Sequence, residues 1–131
     1  RHWGHDITDE DTPLQAGLGF CVAWDKPGGF IGREALLKQR GQGLDRRLVQ
    51  FRLTDPERVM YGGEPIFRDG ILVGRTSSAA YGHTLGGCIA LGYVTGEPAA
   101  GTYEIEVAKT RCAAVASLRP MWDPSSARMK V

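Results

Sequence analysis

The chain has 131 residues, 42% hydrophobic and 24% charged, enough apolar material for one packed domain, or a small domain with an extra segment. A net charge of +1 and an aromatic content of 8% argue against a basic surface for nucleic acid or an anionic membrane. Three widely spaced cysteines, Cys21, Cys88 and Cys112, argue against a disulfide framework and fit reduced thiols inside a cell.

No Cys-x-x-Cys or His-x-x-x-His spacing points to a metal site, and no apolar run reaches the roughly 18 residues of a spanning helix. The opening Arg1-His2-Trp3-Gly4-His5 lacks an initiator methionine and reads as mid-protein sequence, so the chain is expected to be an excised fragment.

Early in the chain, Asp6, Asp9, Glu10 and Asp11 surround Thr12-Pro13. Thr12 is placed to cap a short helical turn with Pro13 at its first position, where proline's missing N–H has no partner to lose. Residues 17–24, Gly-Leu-Gly-Phe-Cys-Val-Ala-Trp, read as a strand, ended by Asp25-Lys26-Pro27-Gly28-Gly29. Phe30 to Arg40 is the clearest helix, with Ile31, Ala35, Leu36 and Leu37 as its apolar stripe and Arg33, Glu34, Lys38 and Arg40 as its wet face. Gly41-Gln42-Gly43 stops it. Phe30, Ile31 and Leu36 are expected in the core.

Beyond Gly43 the period changes to two. Residues 47–53 alternate as a strand. Residues 65–68 and 71–74 flank Asp69-Gly70, a strong two-residue hairpin signal because both positions tolerate positive φ. The second arm continues through Arg75-Thr76-Ser77-Ser78-Ala79, and further strands are expected at 88–94, 103–107 and 112–118. Short strands joined by glycine turns predict a mainly β fold, a six- or seven-stranded antiparallel barrel preceded by a short strand–helix segment. The division falls between residues 1–43, with their helix near 30–40, and residues 44–131, the barrel and an irregular tail.

Few residues offer chemistry. Gly28-Gly29-Phe30-Ile31-Gly32-Arg33 could hold a phosphate at a helix start, but it lacks the Walker lysine and the dinucleotide glycine pattern. A structural turn is the better reading. His2, His5 and His83 have no readable carboxylate and nucleophile partnership, and the three cysteines sit in apolar runs, where a buried thiol acts as a small hydrophobe. Asp9, Glu10 and Asp11 match no calcium loop and read as a solvated turn. No catalytic and no metal-ligating residue is assigned.

The order of "WGHDITDEDTPLQAGLGF", "GGFIGREALLKQ", "RRLVQFRL", "GRTSSAAYGHTLGGCIALGYV" and "RPMWDPSSARMKV" resembles the C-terminal part of the glycine-cleavage T-protein (aminomethyltransferase) superfamily. The likeness is strongest to the branch fused behind flavin-dependent dimethylglycine and sarcosine dehydrogenases or oxidases. It implies that residues 1–43 end a middle, folate-binding region and that 44–131 form the C-terminal barrel. It further implies a partial tetrahydrofolate site, with FAD bound elsewhere in the intact protein and not by this fragment. The family's aspartate for methylene transfer and its pterin glutamate both precede this stretch. Two positions are carried over as cofactor-binding candidates. Gln15 stands where relatives often have Glu in Thr-Pro-x-Glu-Ala-Gly, and Trp122 where they often have Tyr before Asp-Pro. Ser77 replaces a threonine in Gly-x-x-Thr-Ser and keeps the hydroxyl, which suits a bulge as well as a site.

The resemblance implies partners in the preceding domains of the same polypeptide and folate, with no nucleic acid and no membrane. The expected compartment is the cytoplasm, or the mitochondrial matrix in a eukaryote. The intact enzyme would oxidise an N-methyl amine and pass the one-carbon unit to folate, and the fragment alone is expected to be inactive. Two other classes stay open: a stand-alone glycine cleavage aminomethyltransferase, and a small barrel that binds nucleic acid or serves only as an interaction domain.

Overall fold

The computed structural model describes residues 1–98 and 101–130. A ten-residue helix, α1 (Arg33–Gln42), precedes six strands: β1 (Arg46–Leu53), β2 (Pro65–Arg68), β3 (Ile71–Gly82), β4 (Gly87–Thr95), β5 (Tyr103–Val107) and β6 (Thr110–Ser117). The strands close into an antiparallel barrel in the order β1-β4-β3-β2-β5-β6, with β6 pairing back onto β1. Closure satisfies the edge hydrogen bonds that an open sheet of this size would leave exposed. No helix among the described residues is long and apolar enough to cross a membrane.

Alternation sets the core. Val49, Phe51 and Leu53 of β1 point inward and meet Met60, Ile66, Cys88, Val94 and Ile105, each at most 1% exposed. Burying one such side chain contributes about 1.5–3 kcal/mol. The β2–β3 turn is made by Asp69 and Gly70, with φ of 51° and 80°, as the Asp-Gly pair predicts. Gly74 is required by close approach, because a Cβ there would overlap the Tyr93 carbonyl of the neighbouring strand.

The segment ahead of the barrel departs from expectation. Residues 17–24 form no strand; Gly19–Cys21 make a 3₁₀ turn, after Gly17 at φ 66°. The barrel closes on its own six strands, so this apolar run has no ladder to join. α1 starts at Arg33, three residues later than the pattern implies, since Gly32 takes a left-handed conformation at φ 89°. The helix then runs on through Gly41 and is capped at Gly43.

None of its residues is buried. Phe30 and Leu36 are only half-buried, and Ile31 is fully exposed, so the expected core role of these three fails in this chain. Cys21 is likewise exposed, whereas Cys88 and Cys112 are buried in the barrel as expected.

Candidate functional site

β1 pairs with β6 only from Gln50 onward. Before that point the amino-terminal segment covers β1, and the Leu48 N–H donates to the Gln15 carbonyl at 2.8 Å. At the seam, the tail is held by the Met121 N–H, which donates to Gln50 Oε1 at 2.7 Å. A cavity of about 190 Å³ lies here, lined by Arg1, Leu48, Gln50, Leu91, Ser117 and Arg119 among others. A second, of about 240 Å³, shares Gln50 and Leu91 and is lined also by Ser78 and Ile89.

The Thr12–Gln15 turn is a capping box. The Gln15 N–H donates to Thr12 Oγ1 at 3.3 Å, and Gln15 Oε1 accepts from the Thr12 N–H at 2.9 Å. The other end of the amide donates to Asp45 Oδ1 at 2.7 Å. That bond leads the causes that hold the Asp45 carboxyl below the usual aspartate range. Gln15 is therefore buried with both amide atoms engaged inside the chain.

Beside it, Arg46 Nη2 pairs with Asp11 Oδ1 at 2.9 Å. Asp11 is thus an anchor with a side chain only 7% exposed, and not part of a solvated turn. The Arg46 guanidinium also lies over the Tyr93 ring, 5.0 Å from its centroid. Burial, then the Asp11 charge, pushes the Tyr93 hydroxyl up to about 12, and among the described residues that hydroxyl has no partner of hydrogen-bonding geometry.

The third anchor is Asp6, at 4% exposure. Its Oδ1 accepts hydrogen bonds from both Ser77 Oγ and Ser78 Oγ at 2.6 Å, and its Oδ2 accepts from the His2 N–H at 2.7 Å. Consecutive strand residues normally face opposite sides of a sheet. Here Ser77 is the extra residue of a bulge between the Thr76–Gly92 and Ser78–Leu91 pairs, so both hydroxyls reach one carboxylate oxygen. Burial pushes the Asp6 carboxyl upward, but the hydroxyls of Ser77 and Ser78 and the His2 amide outweigh it and leave the group below its ordinary value. Gly74-Arg75-Thr76-Ser77-Ser78 thus carries a bulge, but its two serine hydroxyls turn to the Asp6 carboxylate, with only Ser77 also near a backbone carbonyl, that of Leu91.

Trp122 is half-exposed on the tail, next to the Met121 contact with Gln50, and the Arg128 guanidinium lies 5.7 Å from its ring centroid. Gln15 and Trp122 thus flank the same stretch of β1, one buried and one open, and neither lines the cavities described here. His2 and His5 meet edge to face with ring centroids 4.7 Å apart, and His83 packs against Tyr81. Arg33 Nε donates to the Trp24 carbonyl at 3.1 Å, as a turn anchor does. The assembled groups can seat the segment, line a wall and offer cations. They form no nucleophile–base pair.

A family model, the glycine cleavage T-protein C-terminal barrel domain, matches residues 46–123. The chain belongs to that family. The chain is also similar to longer proteins, among them 4-methylaminobutanoate oxidase (formaldehyde-forming) of Paenarthrobacter nicotinovorans, 42% identical over 99% of this chain but only 16% of that protein. Human mitochondrial sarcosine dehydrogenase is 39% identical, again over 99% of this chain and 15% of its own length. Among solved structures, the glycine cleavage system aminomethyltransferase T from Bartonella henselae superposes with a TM-score of 0.74 at 25% identity, covering 87% of this chain and 33% of that one. This barrel chain spans about a sixth of the length of the oxidase and the dehydrogenase.

Sequence reading missed Asp6 and the Asp11–Arg46 pair. Their partners lie 71 and 35 residues away, a separation no local motif encodes.

Proposed function

We propose that the chain is the C-terminal portion of a tetrahydrofolate-dependent one-carbon enzyme of the dimethylglycine or sarcosine dehydrogenase type. Residues 1–43 end the middle, folate-binding region, and 44–131 are the barrel that closes one side of the folate channel. The observation that carries this reading is alignment of 99% of the chain with about a sixth of an N-methylamine oxidase and of a sarcosine dehydrogenase. The exposed groove between the 12–23 segment and α1, about 610 Å³ and lined by Pro13, Cys21, Val22, Phe30, Ile31 and Leu36, is the surface the preceding domains cover.

In this reading Trp122 gives the channel an aromatic wall, while Gln15 acts through position, tying the Thr12 turn to Asp45. Flavin chemistry and the methylene-transfer aspartate belong to the preceding domains. Retaining the one-carbon intermediate in a closed cavity limits its hydrolysis. The compartment is the cytoplasm, or the mitochondrial matrix in a eukaryote.

Calorimetry with tetrahydrofolate tests the proposal. The 131-residue chain is expected to bind weakly or not at all and to show no amine-oxidising or aminomethyltransferase turnover. In the longer polypeptide, Trp122→Ala is expected to weaken folate binding about fivefold or more, the scale of a lost aromatic contact. Tight folate binding by the isolated chain, or an unchanged affinity in the Trp122 variant, overturns the reading.

A further inference from the structure

The chain leaves β6 at Ser117, whose strand partner on β1 is Gln50, and by Met121 it has returned to the same residue. There the Met121 N–H donates to Gln50 Oε1 at 2.7 Å. Between these two points Ser117 Oγ accepts from the Arg119 N–H at 3.1 Å and donates to the Arg119 carbonyl at 2.8 Å. Pro120 follows, with a restricted φ and no N–H of its own. The loop 117–121 therefore starts and ends on Gln50, and little inside it is free to turn.

Beyond this loop the tail bonds only to itself. Asp123 Oδ1 and Oδ2 accept from the Ala127 and Arg128 N–H groups at 2.8 and 3.1 Å, while the Ser126 and Met129 N–H groups donate to the Asp123 and Ser126 carbonyls. Among the described residues, Gln50 makes the one hydrogen bond between residues 118–130 and the barrel beyond Ser117. Leu118 and Pro120 line the seam cavity together with Leu48 and Leu91, but apolar contact is non-directional and sets no angle. Trp122 comes directly after the Gln50 bond. It is half-exposed, and the group over its ring, Arg128, belongs to the same tail.

We infer that Gln50 is a positioning residue: its amide clasps the loop at Met121 and so sets the direction in which Trp122 faces. Gln50 looks outward from β1, between the buried Val49 and Phe51, so the barrel core does not depend on it. A ring fixed in advance spares a ligand the cost of ordering it on binding. The consequence for folate rests on the reading of Trp122 as a channel wall; the clasp itself does not.

The test has two arms. In the ¹⁵N-labelled 131-residue chain, Gln50→Leu is expected to lower the amide order parameters of Met121 and Trp122 from about 0.85 to below about 0.6, with the urea midpoint close to that of the parent. Gln50→Glu keeps an acceptor oxygen and should keep the tail ordered. Independently of any variant, the Met121 amide of the unaltered chain should exchange with solvent at least about tenfold more slowly than that of Trp122, which has no acceptor among the described residues. In the longer polypeptide, Gln50→Leu is expected to weaken tetrahydrofolate binding about threefold, and to add nothing when combined with Trp122→Ala, because the first acts through the second. An unchanged tail order in Gln50→Leu, a tail loosened equally by Gln50→Glu, an unprotected Met121 amide, or additive losses in the double variant overturns the inference. An unchanged folate affinity in Trp122→Ala overturns the channel reading alone, and the order parameters still decide the clasp.

Discussion

Asp6 joins two parts of the molecule through a single carboxylate, and its surroundings give that role a pH signature. Its folded value lies below the ordinary 3.8, so its stabilisation is in place above that pH and is lost as pH falls through the lower, folded value. Asp6→Asn is expected to cost about 1–3 kcal/mol at pH 7, since hydrogen bonds to a charged acceptor are the stronger kind. Urea midpoints should show that gap narrowing below about pH 3.8. A gap that stays unchanged however far the pH is lowered beneath the ordinary value would assign the loss to shape and not to charge. Gln15 gives a second case. Replacing it with Glu, the residue its resemblance to relatives brings to mind, sets a carboxylate where Nε2 now donates to Asp45 at 2.7 Å. Gln15→Glu should lower the thermal midpoint at pH 7, and Asp45→Asn in the same chain should restore much of it. The Thr12–Gln15 box is written locally as Thr-x-x-Gln and was open to reading; the Asp45 partner, 30 residues on, was not.

Among the elements, the barrel strands were legible because period two survives wherever one face is buried, as in Val49, Phe51 and Leu53. The β5–β6 turn carries no such sign. Ala108 and Lys109 adopt φ of 48° and 65°, conformations that closure of the barrel imposes on residues that do not favour them. Replacing the pair by Asn-Gly is expected to raise stability by about 1 kcal/mol in a urea melt, and a loss would show that the native side chains matter more than the backbone. The 17–24 run failed as a strand because its residues are apolar for another reason: with α1 they line an open groove. Ile31→Ala in this chain should therefore change stability by no more than about 0.5 kcal/mol, while Phe51→Ala should cost about 3–5 kcal/mol. A large effect at Ile31 would mean that the groove closes in solution.

At the scale of the whole molecule, the barrel has its own core, yet the segment ahead of it keeps Phe20, Ile31 and the groove around Cys21 uncovered. Such a surface is what a domain shows when its neighbour is missing. The central claim is that preceding domains of a longer polypeptide cover this groove and so complete the folate channel. Cys21 reports on it directly, since it is exposed here while Cys88 and Cys112 are buried. The decisive measurement is the rate of thiol modification at Cys21 in the 131-residue chain and in the longer polypeptide, with unfolded protein as reference. The account predicts one fast and two slow thiols in the chain, and Cys21 protected at least about tenfold in the longer protein, a difference of about 1.4 kcal/mol in access. Equal rates for Cys21 in both would contradict it.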